Sequence, residues 1–426
     1  MNQGPPSLHR SRWRFCLFTL LYLYQGVVAG FGLTALANHF AASGASTAEV
    51  GRHLALVGLP WVLQPLLWGP VIDRGTPHRM GPRRAWLVLA LLGAQASLAG
   101  LLLLGAQAGL TAISLVLALH SLAASLADTA TDRMIAGSVP TDELGRTSAA
   151  TRAGFVIGSA AGSAVFAWIL AAHGFSVAAG ALLGLTTPLA LAALLVREDP
   201  GDALLALRWR HPERRSPGRR ASEALAFAQK LLAAFRRRDA ALLLAMCFSI
   251  DLGLALFQVP FAVALVQVHG WDAESLSRLQ ALLALLGGTL GAAGIGAAVD
   301  RIGPGRALRL LLLACAAAFA AAGALIAAGL EAAAGPVILG LASVVPALLY
   351  VALQPAVLLA SRAGGASATQ FQIYMAAMNL GDVTGAALAG PLAAILASTL
   401  VAFGVAGLFL ACTRVAPGAE SGRPAK

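Results

Sequence analysis

The chain is short of the side chains that soluble folds place on their surfaces. Only 12% of its 426 residues are charged, about half the share of an ordinary soluble domain. Its basic residues are nearly all Arg, with Lys230 and Lys426 as the only lysines. This scarcity, with 58% hydrophobic residues and a mean hydropathy of +0.77, excludes a disordered or coiled-coil protein and calls for a bilayer. Four cysteines, Cys16, Cys247, Cys315 and Cys412, all lie in apolar stretches, which excludes a disulfide framework or thiolate metal site. They read as small core residues. The eight histidines are too scattered to supply a metal cluster or a nucleophile with its base, so neither an enzyme nor a metal or other cofactor is expected. There is no Gly-x-x-x-x-Gly-Lys-Ser/Thr loop, hence no direct drive by ATP.

Long apolar runs are what the chain does have. A spanning helix needs about 20 mostly apolar residues, and twelve segments qualify. The first six run Phe15 to Ala41, Gly51 to Ile72, Ala85 to Gln107, Gly109 to Asp132, Thr147 to Ala172 and Val177 to Val196. The second six run Ala240 to Gln267, Ser275 to Val299, Ala307 to Gly329, Gly335 to Ser361, Ala366 to Gly390 and Leu392 to Cys412. The opening segment is too long for a cleavable signal and no small-residue cleavage site precedes a soluble domain, so it is the first span. The expected fold is an all-α membrane protein of twelve transmembrane helices in two pseudo-symmetric six-helix bundles, 1–196 and 239–426, joined by a linker at 197–238.

Charge placement gives the orientation. With both termini inside, 27 of the 30 Lys and Arg fall in cytoplasmic segments; Arg52 and Arg278 fall outside and Arg152 lies within a span. The net charge of +11 is then a topology signal, and no nucleic-acid partner is needed. The linker holds eleven basic and five acidic residues, broken by Pro200, Pro212 and Pro217. Its later part, Ala221 to Phe235, has Leu225, Ala228, Leu232 and Phe235 at helical spacing, as in a helix lying on the inner leaflet.

The halves repeat. Gly69-Pro-Val-Ile-Asp73-Arg74 follows the second span and Gly296-Ala-Ala-Val-Asp300-Arg301 follows the eighth, while Glu49 with Arg52 opens the second span and Glu274 with Arg278 the eighth. Such duplication marks a transporter that rocks two bundles about a central site. Gly-x-x-x-Asp-Arg in these two loops resembles the cytoplasmic loop motif of the major facilitator superfamily, over nearly the whole chain. A narrower resemblance rests on Leu20-Leu-Tyr-Leu-Tyr-Gln25-Gly26, on Gly58-Leu-Pro60-Trp61-Val-Leu-Gln64-Pro-Leu-Leu-Trp68, on Ala127-Asp128-Thr-Ala-Thr-Asp132-Arg133 and on Ala368-Thr369-Gln370-Phe371. These are similar to the AmpG-type muropeptide permeases and the related RhtX/FptX-type siderophore permeases. The resemblance implies a proton-driven importer in a bacterial inner membrane, taking a small-molecule substrate with protons as the coupling ion. Gln64 and Ala127 stand where the muropeptide permeases imply Lys and Gln, so a siderophore and a peptidoglycan fragment both remain open as substrate.

Ionisable groups within lipid cost about 2.5–3.5 kcal/mol each even on the mildest scale, and so mark function by default. Asp251 falls near the middle of the seventh span, with Gln258 on the same face. Asp382 falls in the eleventh, where Tyr374, Met378 and Asp382 form one stripe flanked by Asn379. Asp128 and Asp132 are one turn apart in the fourth span, and Arg152 enters the fifth at similar depth. Two carboxylates so placed repel, which suits holding and releasing a proton as Arg152 approaches; a structural ion-pair latch of the three is the alternative. Candidate proton-coupling residues are therefore Asp251, Asp128, Asp132 and Asp382, and candidate substrate contacts are Gln25, Gln64, Arg152, Gln258, Tyr374 and Asn379. Asp73, Arg74, Asp300 and Arg301 are expected to gate, because arginines at a helix end can reach neighbouring C-terminal carbonyls.

Glycines at 154, 158 and 162, and at 287, 291 and 294, make small-residue packing stripes. Pro60, Pro65, Pro70, Pro260, Pro346 and Pro355 are expected to bend their helices. His120 is expected to be structural. Import follows only from the resemblance; an exporter of a drug or metabolite and a non-carrier sensor on a transporter scaffold are the alternatives. The protein is expected to act as a monomer.

Overall fold

The computed structural model describes residues 5–73, 79–105, 108–140, 143–206, 229–230, 232–362 and 367–415. Among these the regular structure is helical. The helices are α1 Ser11–Ala42, α2 Thr47–Asp73, α3 Arg84–Leu104, α4 Leu110–Ser138, α5 144–173, α6 175–195, α7 Arg238–Gln267, α8 Ala273–Ile302, α9 Pro304–Ala327, α10 Glu331–Arg362, α11 Ser367–Ala393 and α12 Ser398–Val415. The twelve correspond one for one to the twelve apolar segments. By length and composition alone, nine helical stretches among the described residues suffice to cross a membrane, with α5 and α6 falling in one of them.

Boundaries shift where glycine or proline decides the turn. Gly174 adopts φ 77°, open to glycine without strain, and this single residue reverses the chain between α5 and α6. Pro391 does not end α11, which continues to Ala393, so α12 starts at Ser398 rather than at the expected Leu392. Within α1, Gly30–Ala35 is wound as a π-helix.

Two compact units emerge. The first comprises Met1–Phe40, Leu56–Glu213 and Ala273–Ala281; the second comprises Ala41–Ala55, Arg214–Asp272 and Leu282–Lys426. Each takes a short segment from the other half of the sequence.

In the first unit α1 and α5 approach backbone to backbone. A methyl at Gly26 would collide with the Phe155 carbonyl, and one at Gly158 with the Leu23 carbonyl, so the stripe at 154, 158 and 162 is a contact surface with glycine on both sides. Phe31, Leu36, Leu98, Leu117, Phe166 and Leu182 fill one apolar layer, and Phe18, Leu21, Leu91 and Met134 another. In the second unit α11 lies on α7 by the same device, with Gly381 against the Phe248 carbonyl and Gly385 against that of Leu252. Gly287 and Gly291 of α8 receive Val344 and Leu348 of α10, as their spacing suggested, while Gly294 meets open space.

The linker begins as an ordered collar within the first unit. Arg84, fully buried, donates from Nε to the Val196 carbonyl at 2.7 Å, from Nη1 to that of Leu204 at 2.9 Å, and from Nη2 to that of Leu194. Glu198 accepts the backbone N–H groups of Arg83 and Arg84 at 3.1 and 3.2 Å, capping α3. Most of the expected surface helix at 221–235 lies outside the described residues; 232–236 are helical.

Candidate functional site

In the first unit two helices, α1 and α2, converge on the carboxylates of α4. Ser125, Asp128, Thr129 and Asp132 share one face because they recur every three or four residues. Gln25 of α1 donates from Nε2 to Asp128 at 3.2 Å, and Gln64 of α2 donates from Nε2 to Asp128 at 2.8 Å and to Thr129 Oγ1 at 3.1 Å. Tyr22 donates its hydroxyl to Asp132 at 2.9 Å, and Trp68 donates its indole N–H to Ser125 at 2.9 Å. Both glutamines are buried. Each carboxylate in this cluster is thus gripped by a neutral donor, which fixes its position, and Asp128 has no cation among its hydrogen-bond partners.

The sequence singled out Gln25 and Gln64 as substrate contacts and Asp128 and Asp132 as proton-coupling residues without grouping the amides with the acids; the structure gathers them in one cluster, with Tyr22 and Trp68, which were not among the expected site residues. Their spacing was legible: Tyr22 precedes Gln25 by three residues and Trp68 follows Gln64 by four, so each shares its partner's face. Arg152 was expected to approach Asp128 and Asp132. Its guanidinium lies 5.7 Å from the Phe155 ring centroid, a cation–π contact one turn along its own helix, while amide and phenol donors serve the two acids. His120 is buried with Nδ1 3.2 Å from the Ala94 carbonyl, the structural role expected of it.

In the second unit Asp251 of α7 and Asp382 of α11 are electrostatic neighbours, brought together by the close glycine contact at Gly381 and Gly385. Among the described residues no side chain donates a hydrogen bond to either. Asp251 is half-buried and Asp382 is exposed on its helix. Asn379, one turn before Asp382, is half-buried.

Two expected substrate contacts in this unit have other work. Gln258 donates from Nε2 to the Ala342 carbonyl at 2.8 Å. That carbonyl sits four residues before Pro346, whose missing N–H leaves it without its helical donor. Tyr374 is fully buried, packs its ring against Phe235 at 5.3 Å and donates to the Ala240 carbonyl at 3.3 Å. It therefore fastens α11 to the start of α7, two turns from Asp382, and the stripe that joined the two in sequence divides into a structural end and an acidic one.

Of the expected gating residues, Arg74 and the side chains of Asp73 and Asp300 lie outside the described residues; Arg301 is exposed. Reaching a neighbour's C-terminal carbonyls, the role foreseen for arginines of this loop, is performed by Arg84 at the end of α6. A further polar contact went unforeseen. Asn38 donates to Ser277 Oγ at 2.9 Å and to Gln280 Oε1 at 2.8 Å, holding the start of α8 within the first unit.

The model for the Major Facilitator Superfamily matches residues 15–369. The chain belongs to that superfamily. It is an integral membrane transporter and not an enzyme. No curated protein matches the sequence. Among solved structures, that of the nucleoside transporter NupG superposes with a TM-score of 0.66 at 16% identity, over 94% of this chain and 98% of that one. A POT family transporter in complex with a thioalcohol-conjugated peptide gives 0.68 at 12% identity, over 95% of each. At such identities the likeness is one of fold.

Proposed function

We propose that the protein is a proton-coupled secondary transporter that imports a small polar solute across a bacterial inner membrane by alternating access, with both termini cytoplasmic. The observation that carries this reading is Asp128, held by neutral amides of two other helices. A carboxylate fixed without a charge partner can bind a solute's donor groups, or a proton, without first breaking an ion pair. Gln25 and Gln64 retain their amide oxygens for further hydrogen bonds. The reading makes this cluster the recognition site. The facing pair Asp251 and Asp382 takes the coupling role, since two acids that share one neighbourhood hold a single proton more readily than two charges.

The motif resemblance to muropeptide and siderophore permeases supports a siderophore or peptidoglycan fragment as solute and supports import. The solved structures of similar fold are those of nucleoside and peptide transporters, also carriers of polar solutes. Gating is assigned to Asp73, Arg74, Asp300 and Arg301, whose loops repeat in the two halves. Purified protein in liposomes is offered radiolabelled ferric siderophores and muropeptides under an imposed inward proton gradient. Accumulation that collapses with a protonophore is expected, and accumulation indifferent to the gradient, or extrusion instead of uptake, rejects the reading.

A further inference from the structure

A second site lies away from these carboxylates, wholly within the second unit. Between α7, α12 and the end of α11 runs a cavity of about 520 Å³, floored by Gly253, Pro260 and Gly404 and walled by Leu256, Leu400 and Leu408. Its lining follows α7 from Ser249 to Val268 and α12 from Ser398 to Leu408. At 1.5 Å per residue these edges span about 28 and 15 Å, so the volume is a slot that runs along the helix axes and is long enough for an acyl chain.

Polarity is distributed as along a lipid. Three polar lining residues sit at helix ends: Gln267 closes α7, Ser398 opens α12 and Thr47 opens α2. They mark the depth at which spanning helices leave the hydrocarbon, while the slot between is apolar save for Ser249 at its inner end. Among its lining residues Val268 and Leu400 are 75% and 60% exposed, an apolar rim that belongs in acyl chains. Gln267 is braced by donating to the Ala41 and Ala45 carbonyls at 2.8 Å each, which leaves its oxygen for a ligand.

We propose that this slot seats one acyl chain of a bilayer phospholipid, with the glycerol region at Gln267, Ser398 and Thr47. The chain lies against the back of α7 at Gly253, two residues from Asp251, and so completes the packing of the helix that carries that acid.

The test uses full-length protein in bilayers of phosphatidylethanolamine doped with the same lipid carrying a mid-chain diazirine. After irradiation, adducts are mapped by peptide mass spectrometry, and co-purified phospholipid is counted per protein. Gly404→Leu is the filling variant, because a Cβ there meets no atom within 4 Å. Gly407→Leu is its control: the same change, equally unhindered, on a residue of α12 outside the slot. The expected result is labelling concentrated on 249–268 and 392–408, lost about fivefold in Gly404→Leu and kept in Gly407→Leu, with one retained phospholipid fewer. Even labelling of every lipid-facing helix overturns the proposal. So does labelling that survives in Gly404→Leu, or label confined to cross-linked dimers, which would make the slot an interface between copies of this chain.

Discussion

Both units carry a pair of aspartates inside spanning helices, and they treat them in opposite ways. On α4 the pair is one turn apart, and Tyr22, Gln25 and Gln64 supply donors from two other helices. Across α7 and α11, whose backbones meet at Gly381 and Gly385, the pair are electrostatic neighbours with no donor among the described side chains. Donors fix geometry, and geometry is what recognition needs. A pair without donors responds instead to the arrival of a proton or of water, which is what coupling needs. Under the proposed function, this difference separates recognition at Asp128 from coupling at Asp251 and Asp382.

The assignment breaks most readily at Asp251. Asp251→Asn is expected to abolish gradient-driven accumulation, by more than about tenfold, while counterflow exchange of bound solute persists because the amide mimics the protonated acid. Uptake assays with and without a gradient decide it. Full accumulation in this variant moves coupling to Asp128 and Asp132. Gln64→Ala sharpens the other side: losing a hydrogen bond to a charged group, about 1.5–3 kcal/mol, raises the half-saturation concentration about tenfold or more with the gradient dependence unchanged. Lost coupling without weakened binding would merge the two roles.

Smaller effects lie at the margins of each unit. Tyr374→Phe removes the hydrogen bond to the Ala240 carbonyl and the acceptor for the Gln370 amide, so thermal stability should fall by about 1 kcal/mol with transport kinetics intact. A changed substrate preference would restore Tyr374 to the binding site. The smallest effect concerns Glu143, just before α5. The hydrogen bond from Arg14, at 2.6 Å, holds its carboxyl below the usual carboxylate range. Its contribution is therefore present above the ordinary Glu value and lost as pH falls through the lowered folded one. A melting-temperature profile from pH 7 to pH 3 should lose that part of its acid decline in Glu143→Gln.

Helix number and order were legible because a bilayer demands about 20 apolar residues at each crossing, and no tertiary contact overrides that. Gln25, Gln64 and Asp128 were each legible as polar groups in apolar helices, but their clustering was not, because it depends on how three helices pack. What the sequence concealed was the choice of partner. Tyr374 and Asp382 share a stripe, yet two turns of helix place one at the edge of α7 and the other beside Asp251. The Arg84 clamp was likewise hidden, because its acceptors are backbone carbonyls some 110 residues away, and carbonyls leave no trace in side-chain pattern. Gly381 and Gly385 were overlooked because a pair is a shorter signal than the run at 154, 158 and 162.

Gln258 and Pro346 carry an evolutionary consequence. The amide of one satisfies the carbonyl that the other strips of its donor, in a setting where an unsatisfied carbonyl costs several kcal/mol. The two positions are thus epistatic. A lineage that loses Gln258 first inherits an orphaned acceptor inside α10, whereas one that first replaces Pro346 by Ala restores the helical bond and frees position 258 to drift. The gap that Pro346 leaves in the hydrogen-bond ladder of α10 is accordingly the property of two helices, and its repair is inherited or lost by both together.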